Sequence, residues 1–527
     1  MFTDLLPWIQ KKYGAVSGMR RWSRRLHGPG CPASEARALL GARDQRFLYL
    51  MKNAVYGHSS GPYLKLLKHA GCEYGDLEVL THSAGVDKAL YTLSEKGVFI
   101  THNEMKGREP VVRGSARFDF ASSDFDNPLI APQLGYKTSG STGKAAIVGV
   151  SYQHLQNQIL HTALSAGFHR VENAAVGIWL PRTEWSISRS MRFYQLKMTP
   201  ARWFSQMPVF PNRSHIAYGL STAGIIFLSR LFGMRLPFLK YQPLSDPGPV
   251  VRWMRSELRR VRRVFMVTYP STASRACTLA LRSGISLKGA LLLIAGESVT
   301  SAKRKVIEDS GAEALPLFGS TETGEAAEGC LAPNDADDMH LYMHRFAVIS
   351  RDNLFETDSR SGVLQFTTLD PATPKIFLNA DMGDAGIVEK RTCGCPWGEM
   401  GFNQHIRNIW SYAKLSAEGM TLPGDVIFNL LEHRLPGKFG GHAGDYQLLS
   451  EPKTDGVTRY LLCVDLSLGD VDEPGIRQEF LRCLASGGAG SRFVAEYMNR
   501  SDQLNVVRRR SDVQAGGKSL PVVFKRV

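Results

Sequence analysis

The chain has 527 residues, 43% hydrophobic and 21% charged, with a formal net charge of +15. This length exceeds one ordinary core and predicts two or three domains, and no stretch reaches the ~20 uninterrupted apolar residues of a membrane span. The eight Cys are too sparse for a disulfide framework. The basic residues form short scattered runs such as ELRRVRRV (257–264) with no nucleic-acid motif beside them, a pattern of solvated helix faces and of an anionic small-molecule partner.

The opening MFTDLLPWIQKKYGAV (1–16) carries Asp4 and Pro7 and has no apolar core followed by a small-residue cleavage site. A secretory leader is not expected, and a cytoplasmic location is the default. Residues 1–125 read as mostly helical, because EARALLGARDQRFLYLMKNAVYG (35–57) and GPYLKLLKHAGC (61–72) repeat apolar positions at helical spacing. From about 128 the texture changes to short apolar runs: AIVGV (146–150), VGIWL (176–180), VFMVT (264–268), LLLIAG (291–296) and LPLFGS (315–320). Amphipathic stretches lie between them, including SYQHLQNQILHTALSAG (151–167), which Ser151 would cap, and STASRACTLALRSG (271–284), which ends in Gly. That alternation predicts an α/β core.

After about residue 410 a smaller α+β unit is expected. DVIFNLLEHRL (425–435) and GIRQEFLRCLA (475–485) read as helices, while YQLLSE (446–451) and RYLLCVDLSL (459–468) read as strands. The predicted division is a large domain over 1–408 and a small C-terminal domain over 409–527, with the border near 405–412.

GYKTSGSTGKAAIVGV (135–150) invites comparison with a phosphate-binding loop. The nucleoside-triphosphatase loop needs Gly at 138, Ser or Thr after the Lys, and a following helix; the chain has Thr138, Ala145 and a strand pattern, so that reading fails. What remains is a hydroxyl-rich turn ahead of a strand. Its Gly residues allow close approach, and its hydroxyls suit phosphate oxygens.

This turn resembles the signature loop of the adenylate-forming ligases, and three further motifs agree in the family's order. FGSTETGE (318–325) resembles the aromatic-Gly-x-Thr-Glu element, NADMGDAG (379–386) the Gly-Asp element, and VQAGGKSLPVVFKR (513–526) the final Gly-Lys element. The resemblance runs from about residue 45 to the C-terminus. The phenylacetate–CoA ligase-like branch fits best, through the helical opening, YPSTA (269–273) and AGESVT (295–300). It implies a large N-terminal domain of mixed β-sheets with flanking helices and a small mobile C-terminal lid.

The resemblance also implies roles. Thr138, Ser139, Gly140, Ser141, Thr142, Gly143 and Lys144 would hold the outer phosphates of ATP. Phe318 would stack near adenine, with Gly319 and Ser320 in the same turn; Thr321 would touch the α-phosphate and Glu322 would bind Mg²⁺. Asp384 would accept from the ribose hydroxyls, and Lys518 would be the catalytic lysine of the lid. The family's hinge Arg aligns with Trp410 in HIRNIWSYAKLSAEGM (405–420), so Arg407 would substitute or the contact would be lost. The implied reaction is ATP-dependent activation of a carboxylic acid to acyl-AMP, then transfer to coenzyme A or to a phosphopantetheine carrier protein. The alternatives are capture by an amine and a non-catalytic nucleotide-binding relative. Tyr269, Trp203 and Phe204 are candidates for the acid pocket.

Three thiolates and one imidazole form a tetrahedral zinc set, and Cys330, His340, Cys393 and Cys395 flank the Glu322 and Asp384 motifs. Related ligases can carry a similar cluster. A Zn²⁺ held there would be structural, with His344 as a competing ligand; the alternative is a buried apolar Cys330 and a Cys393–Cys395 turn.

Overall fold

The apolar runs become strands, but most of the sheet is built from segments with little periodicity. The computed structural model describes residues 30–137, 147–206 except 182, and 224–351 except 225, 228, 232 and 235. It further describes 361–509, except 412–414, 418–419, 423, 442–444, 453–457, 487–488 and 502, together with 522–524.

The described residues 30–95 are mostly helical as expected, with helices Pro32–Gly41, Arg43–Leu50, Pro62–His69 and Tyr74–Glu95. A small hairpin, β1 (Val111–Arg113) and β2 (Ala116–Phe118), follows. A second hairpin pairs β3 (Leu134–Lys137) with β4 (Ile147–Val150), so the strand expected after the hydroxyl-rich turn is present. The turn itself, with Thr138, Ser139, Gly140, Ser141, Thr142, Gly143 and Lys144, lies outside the described residues.

The parallel strands are β5 (Ala175–Trp179), β6 (Arg202–Ser205), β7 (Leu239–Tyr241), β8 (Val264–Thr268), β9 (Ala290–Ala295) and β10 (Glu313–Ser320). Every residue of β5 and β8 is buried, as helices on both faces of a parallel sheet require. Alternation within β8 divides the two cores. Val264 and Met266 join one cluster, under helices Gly248–Val261 and Pro270–Arg282. Phe265 and Val267 join the other, with Phe193 and Trp203. Trp203 and Phe204 are therefore core side chains, only 1% and 2% exposed, and not walls of an acid pocket.

The antiparallel strands are β11 (Gly324–Gly329), β12 (Met339–Leu341), β13 (Phe346–Arg351), β14 (Gly362–Thr368), β15 (Ala380–Lys390) and β16 (Gln404–Ser411). Among the described residues they complete a twelve-stranded mixed sheet in the order β13-β14-β15-β16-β12-β11-β10-β9-β8-β5-β6-β7. β10 is the junction, parallel to β9 and antiparallel to β11. In a flat sheet β10 and β14 would lie roughly 24 Å apart, at ~4.8 Å per strand. Yet the rings of Phe318 on β10 and Phe366 on β14 stack with centroids 5.7 Å apart. The antiparallel half is curled, and the curl carries β15 back toward the end of β10.

Strand β16 runs on to Ser411, across the expected 408/409 border. The C-terminal segment holds a short hairpin, β17 (Leu415–Ala417) and β18 (Met420–Leu422), and a sheet in the order β21-β20-β19-β22. Its strands are β19 (Tyr446–Pro452), β20 (Thr458–Val464), β21 (Leu504–Arg508) and β22 (Val522–Phe524). β19, β20 and β21 share a separate core with Phe480 and Met498.

Three local readings change. The stretch 151–167 forms two helices, Tyr152–Asn157 and Ile159–Phe168, although Ser151 does cap the first, accepting from the His154 amide at 3.1 Å. The end of RYLLCVDLSL leaves the strand because Asp465 accepts from the Ser467 amide at 2.9 Å and starts a 3₁₀ turn at Leu466–Leu468. Helix Ala489–Ser501 was not anticipated; charged residues interrupt its apolar stripe of Val494, Tyr497 and Met498. Tyr497 packs into the core beside β8 and β9, with the Arg275 guanidinium 5.0 Å from its ring.

A buried polar layer ties these pieces together. Arg189 and Arg192 on helix Glu184–Gln195 both donate to Glu325 of β11, at 2.5 and 2.6 Å. Arg345 donates to the Glu325 carbonyl at 2.7 Å and to Asp370 at 3.2 Å. Burial would raise the Glu325 carboxyl, but the two guanidiniums hold it well below its usual range. Glu328, farther along β11, has less compensation. Burial pushes it up to about 7, against the hydrogen bonds from Ser165 and Tyr342. The folded state therefore holds this proton more tightly than the unfolded chain does. The contribution is complete below the ordinary value of 4.5 and is lost as pH rises through 7. Glu328→Gln is expected to remove this slope, so that its stability gain over wild type grows by up to about 3 kcal/mol between pH 5 and pH 8. Urea midpoints at the two pH values check it.

Candidate functional site

The turn between β10 and β11 is built from its own hydroxyls. Ser320 Oγ accepts from the amides of Glu322 and Thr323 at 3.2 and 3.1 Å, and Thr323 Oγ1 accepts from the Ser320 amide at 3.1 Å. Such side-chain bonds replace the ladder where it must stop. A register shift between Phe318 and Gly319 bends the strand into the turn. Gly319 has no room for more: a Cβ there would meet the Gly324 carbonyl oxygen at 2.3 Å. Gly324 has φ +69, and a Cβ on it would lie 2.7 Å from His154 Nε2. The result holds Glu322 buried and Thr321 half-buried at the end of β10.

A second segment, absent from the sequence-based expectations, joins this turn to β15. Thr101 and Glu104 form a capping box: Thr101 Oγ1 accepts from the Glu104 amide at 3.2 Å, and Glu104 accepts from the Thr101 amide at 2.8 Å. Arg113 grips the same Glu104 carboxylate through two bonds of 2.7 and 3.0 Å. The one-turn helix His102–Met105 that results is about 6 Å long. At its start the His102 amide donates to Asp381 at 3.3 Å, and just past its end Lys106 Nζ donates to Glu322 Oε1 at 2.8 Å. The Glu322 turn and the bend of β15 are therefore neighbours. The signal for this element was legible as T-x-x-E followed by Gly107, whose φ is +66.

In β15 the Asp381 carboxylate also accepts from the Gly383 amide at 2.7 Å. Gly383 has φ +86, which favours glycine at that bend. The Gly383 carbonyl accepts from Ser411 Oγ at 2.9 Å, and Asp384 faces Ser411 in register. Trp410 stands opposite Ala385, one step away.

The four soft donors also converge. Cys330, His340, Cys393 and Cys395 place their ligand atoms within 4.8 Å of one another. His340 Nε2 lies 3.0 Å from Cys395 Sγ and 3.5 Å from Cys393 Sγ, while the Cys330 and Cys395 sulfurs are 4.0 Å apart. Donors about 2.3 Å from a common centre lie roughly 3.5–4 Å apart, so the set fits a tetrahedral zinc. His340 Nδ1 points at the Phe402 carbonyl, 2.6 Å away, which turns Nε2 toward the sulfurs. His344 is not among them; its Nε2 lies against His161 Nε2 at 3.0 Å. A neighbouring group, Cys330, Asp338 and His405, already surrounds a cation. Arg391 Nη2 lies 3.5 Å from Cys330 Sγ and 3.4 Å from His405 Nδ1, and pairs with Asp338.

No family model matches the sequence, and no curated protein does either. Solved structures do. The chain is similar to a 2-hydroxyisobutyryl-CoA ligase in complex with 2-HIB-AMP and CoA, at 14% identity and a TM-score of 0.50, covering 95% of this chain and 92% of that one. This is the adenylate-forming fold. The same ligase in its postadenylation state, with the same identity and coverage, gives a TM-score of 0.43. An o-succinylbenzoate CoA synthetase from Bacillus subtilis gives 0.41 at 12% identity, over 74% of this chain and 68% of that chain.

Within the adenylate-forming fold, the parallel strands reverse direction of progression between β5 and β8. A crevice is expected outside the carboxyl ends of such strands, where Leu180, Tyr269 and Gly296 follow β5, β8 and β9. Phe318 is half-buried against Phe366. Lys518 lies outside the described residues. Arg407 is engaged elsewhere: it grips Glu389 through two bonds of 3.0 Å and Asp335 through one of 2.6 Å. A ribose contact would break those pairs. Arg407→Gln is expected to cost roughly 1–3 kcal/mol in chemical denaturation, and Arg407→Lys to recover only part, because the ammonium cannot reproduce the fork.

Proposed function

We propose that this chain is an AMP-forming carboxylate ligase of the phenylacetate–CoA ligase-like kind. The observation that carries the reading is the juxtaposition of the Thr321–Glu322 turn with the Gly383–Asp384 bend, joined by the short segment 101–107, in an adenylate-forming fold. Two carboxylate-bearing elements tied to opposite ends of one short segment suit the two ends of one nucleotide, its ribose and its metal-bound phosphates.

In this reading a carboxylic acid bound beyond β8 and β9 attacks the α-phosphate of ATP. Acyl-AMP forms and pyrophosphate leaves. Asp384 accepts from the ribose hydroxyls, Phe318 lies by the adenine, and Thr321 donates to the α-phosphate. Gly319 and Ser320 shape the turn, and residues 138–144 hold the departing pyrophosphate. Glu322 is a buried carboxylate whose charge calls for a counter-ion, so it would hold Mg²⁺, which when bound would offset phosphate charge. Lys518, from the lid over 409–527, supplies positive charge at the reacting phosphate, where positioning and electrostatics dominate. The lid then turns and admits a thiol, coenzyme A or a phosphopantetheine carrier, to take the acyl group. ATP and coenzyme A as substrates would place the reaction in the cytoplasm.

The test is carboxylate-dependent exchange of labelled pyrophosphate into ATP across a broad acid panel. Exchange is expected with at least one acid class, and Lys518→Ala should reduce it on the order of 10²–10³-fold. Products trapped in parallel with coenzyme A, hydroxylamine and amines identify the acceptor. A folded chain that exchanges with no acid overturns the reading and leaves a non-catalytic nucleotide binder.

The Cys330, His340, Cys393 and Cys395 set belongs to the same proposal as a structural zinc clip, because four protein ligands leave no open position. Elemental analysis is expected to find about one zinc per chain, with Cys393→Ser losing it and unfolding at a lower temperature. Chain purified without added chelator yet free of zinc would refute the clip.

A further inference from the structure

The cation beside Glu322 comes from the chain itself. Lys106 Nζ donates to Glu322 Oε1 at 2.8 Å, with side chains 20% and 7% exposed. Its backbone is fixed from both sides. The capping box and the Arg113–Glu104 pair hold the helix before it. Gly107 follows with φ +66, where a Cβ would meet the Phe120 carbonyl oxygen at 2.8 Å. The ammonium is thus delivered to this carboxylate by a built element and not by a wandering surface side chain.

A buried carboxylate without a counter-charge is costly, and the pair meets that cost in the metal-free chain. An ammonium and a divalent ion cannot share one carboxylate oxygen, since the two cations repel strongly at that range. We infer that Lys106 is the resident counter-ion of Glu322, and that a divalent metal enters the site by taking this carboxylate from the lysine. The inference rests on Glu322 as the metal carboxylate of the proposed reaction. Lys106 then acts as a gate on metal entry. Its flexible four-carbon stem lets the released ammonium turn toward the anionic phosphates that arrive with the metal.

Binding of Mn²⁺ to the full chain as purified, followed by the electron paramagnetic resonance of the free ion, tests this without turnover. Lys106→Gln is expected to bind Mn²⁺ on the order of tenfold tighter than wild type, because the carboxylate loses its competing cation. Lys106→Arg should stay close to wild type, and Glu322→Gln should lose the site in either background. Lys106→Met, which keeps the apolar stem, repeats the measurement should the Gln variant prove unstable. Unchanged or weaker Mn²⁺ binding in both Lys106→Gln and Lys106→Met overturns the inference, as does tighter binding that survives Glu322→Gln. Tighter binding without pyrophosphate exchange by wild type leaves the counter-ion standing and removes the ligase reading. Exchange by wild type with no tightening removes the counter-ion alone.

Discussion

The structure hangs on a carboxylate with no water to turn to. Glu325 is buried on β11 between the guanidiniums of Arg189 and Arg192, and its backbone carbonyl takes a third, from Arg345. Arg345 passes the connection to Asp370, which also accepts from Asn157 at 2.8 Å. One polar layer thus joins the helices between β4 and β6 to the antiparallel strands. Desolvation makes such a cluster expensive to assemble, and removing one partner typically costs ~3–5 kcal/mol. Its worth lies in specificity: the turn holding Glu322 springs from the same strand as Glu325, so the layer fixes where that turn sits.

The curl of the antiparallel half is the second constraint. Phe318 and Phe366 meet across a sheet that would otherwise keep them apart, and Ile409 and Val388 pack beside Phe318 against Ala327 and Ile406. Apolar contact closes the surface, and polar groups at its rim are brought together as a consequence. The Lys106–Glu322 pair and the Asp381 bend are found at that rim because the segment 101–107 spans the remaining gap.

Much of this was legible in the residues, and for uneven reasons. β5, β8, β9 and β10 announced themselves because a parallel strand covered on both faces is a continuous apolar run. The Glu322 turn, the Gly-Asp bend and the zinc-like donors were legible because their side-chain types are forced by chemistry. β12 and β14 to β16 were not, since buried His340, Gln365, Asp381, Gln404 and His405 interrupt their apolar pattern. The helix Ala489–Ser501 hid behind its Arg and Glu residues. Lys106 was invisible for a different reason: its neighbour is 216 residues away, and no local pattern marks a lysine that will meet a buried carboxylate. Trp203 and Phe204 misled because aromatic residues beside a pocket and aromatic residues under it look alike in sequence.

Gly319 bears on how chains of this kind diverge. Its missing Cβ would collide with backbone, not with a side chain that could be exchanged for a smaller one. A partner that cannot mutate permits no compensating change, so a side chain at this position would force the backbone itself to move. The same holds where Gly362 would strike the Arg351 carbonyl at 2.2 Å. Such backbone-crowded positions would serve as the fixed points of any redesign.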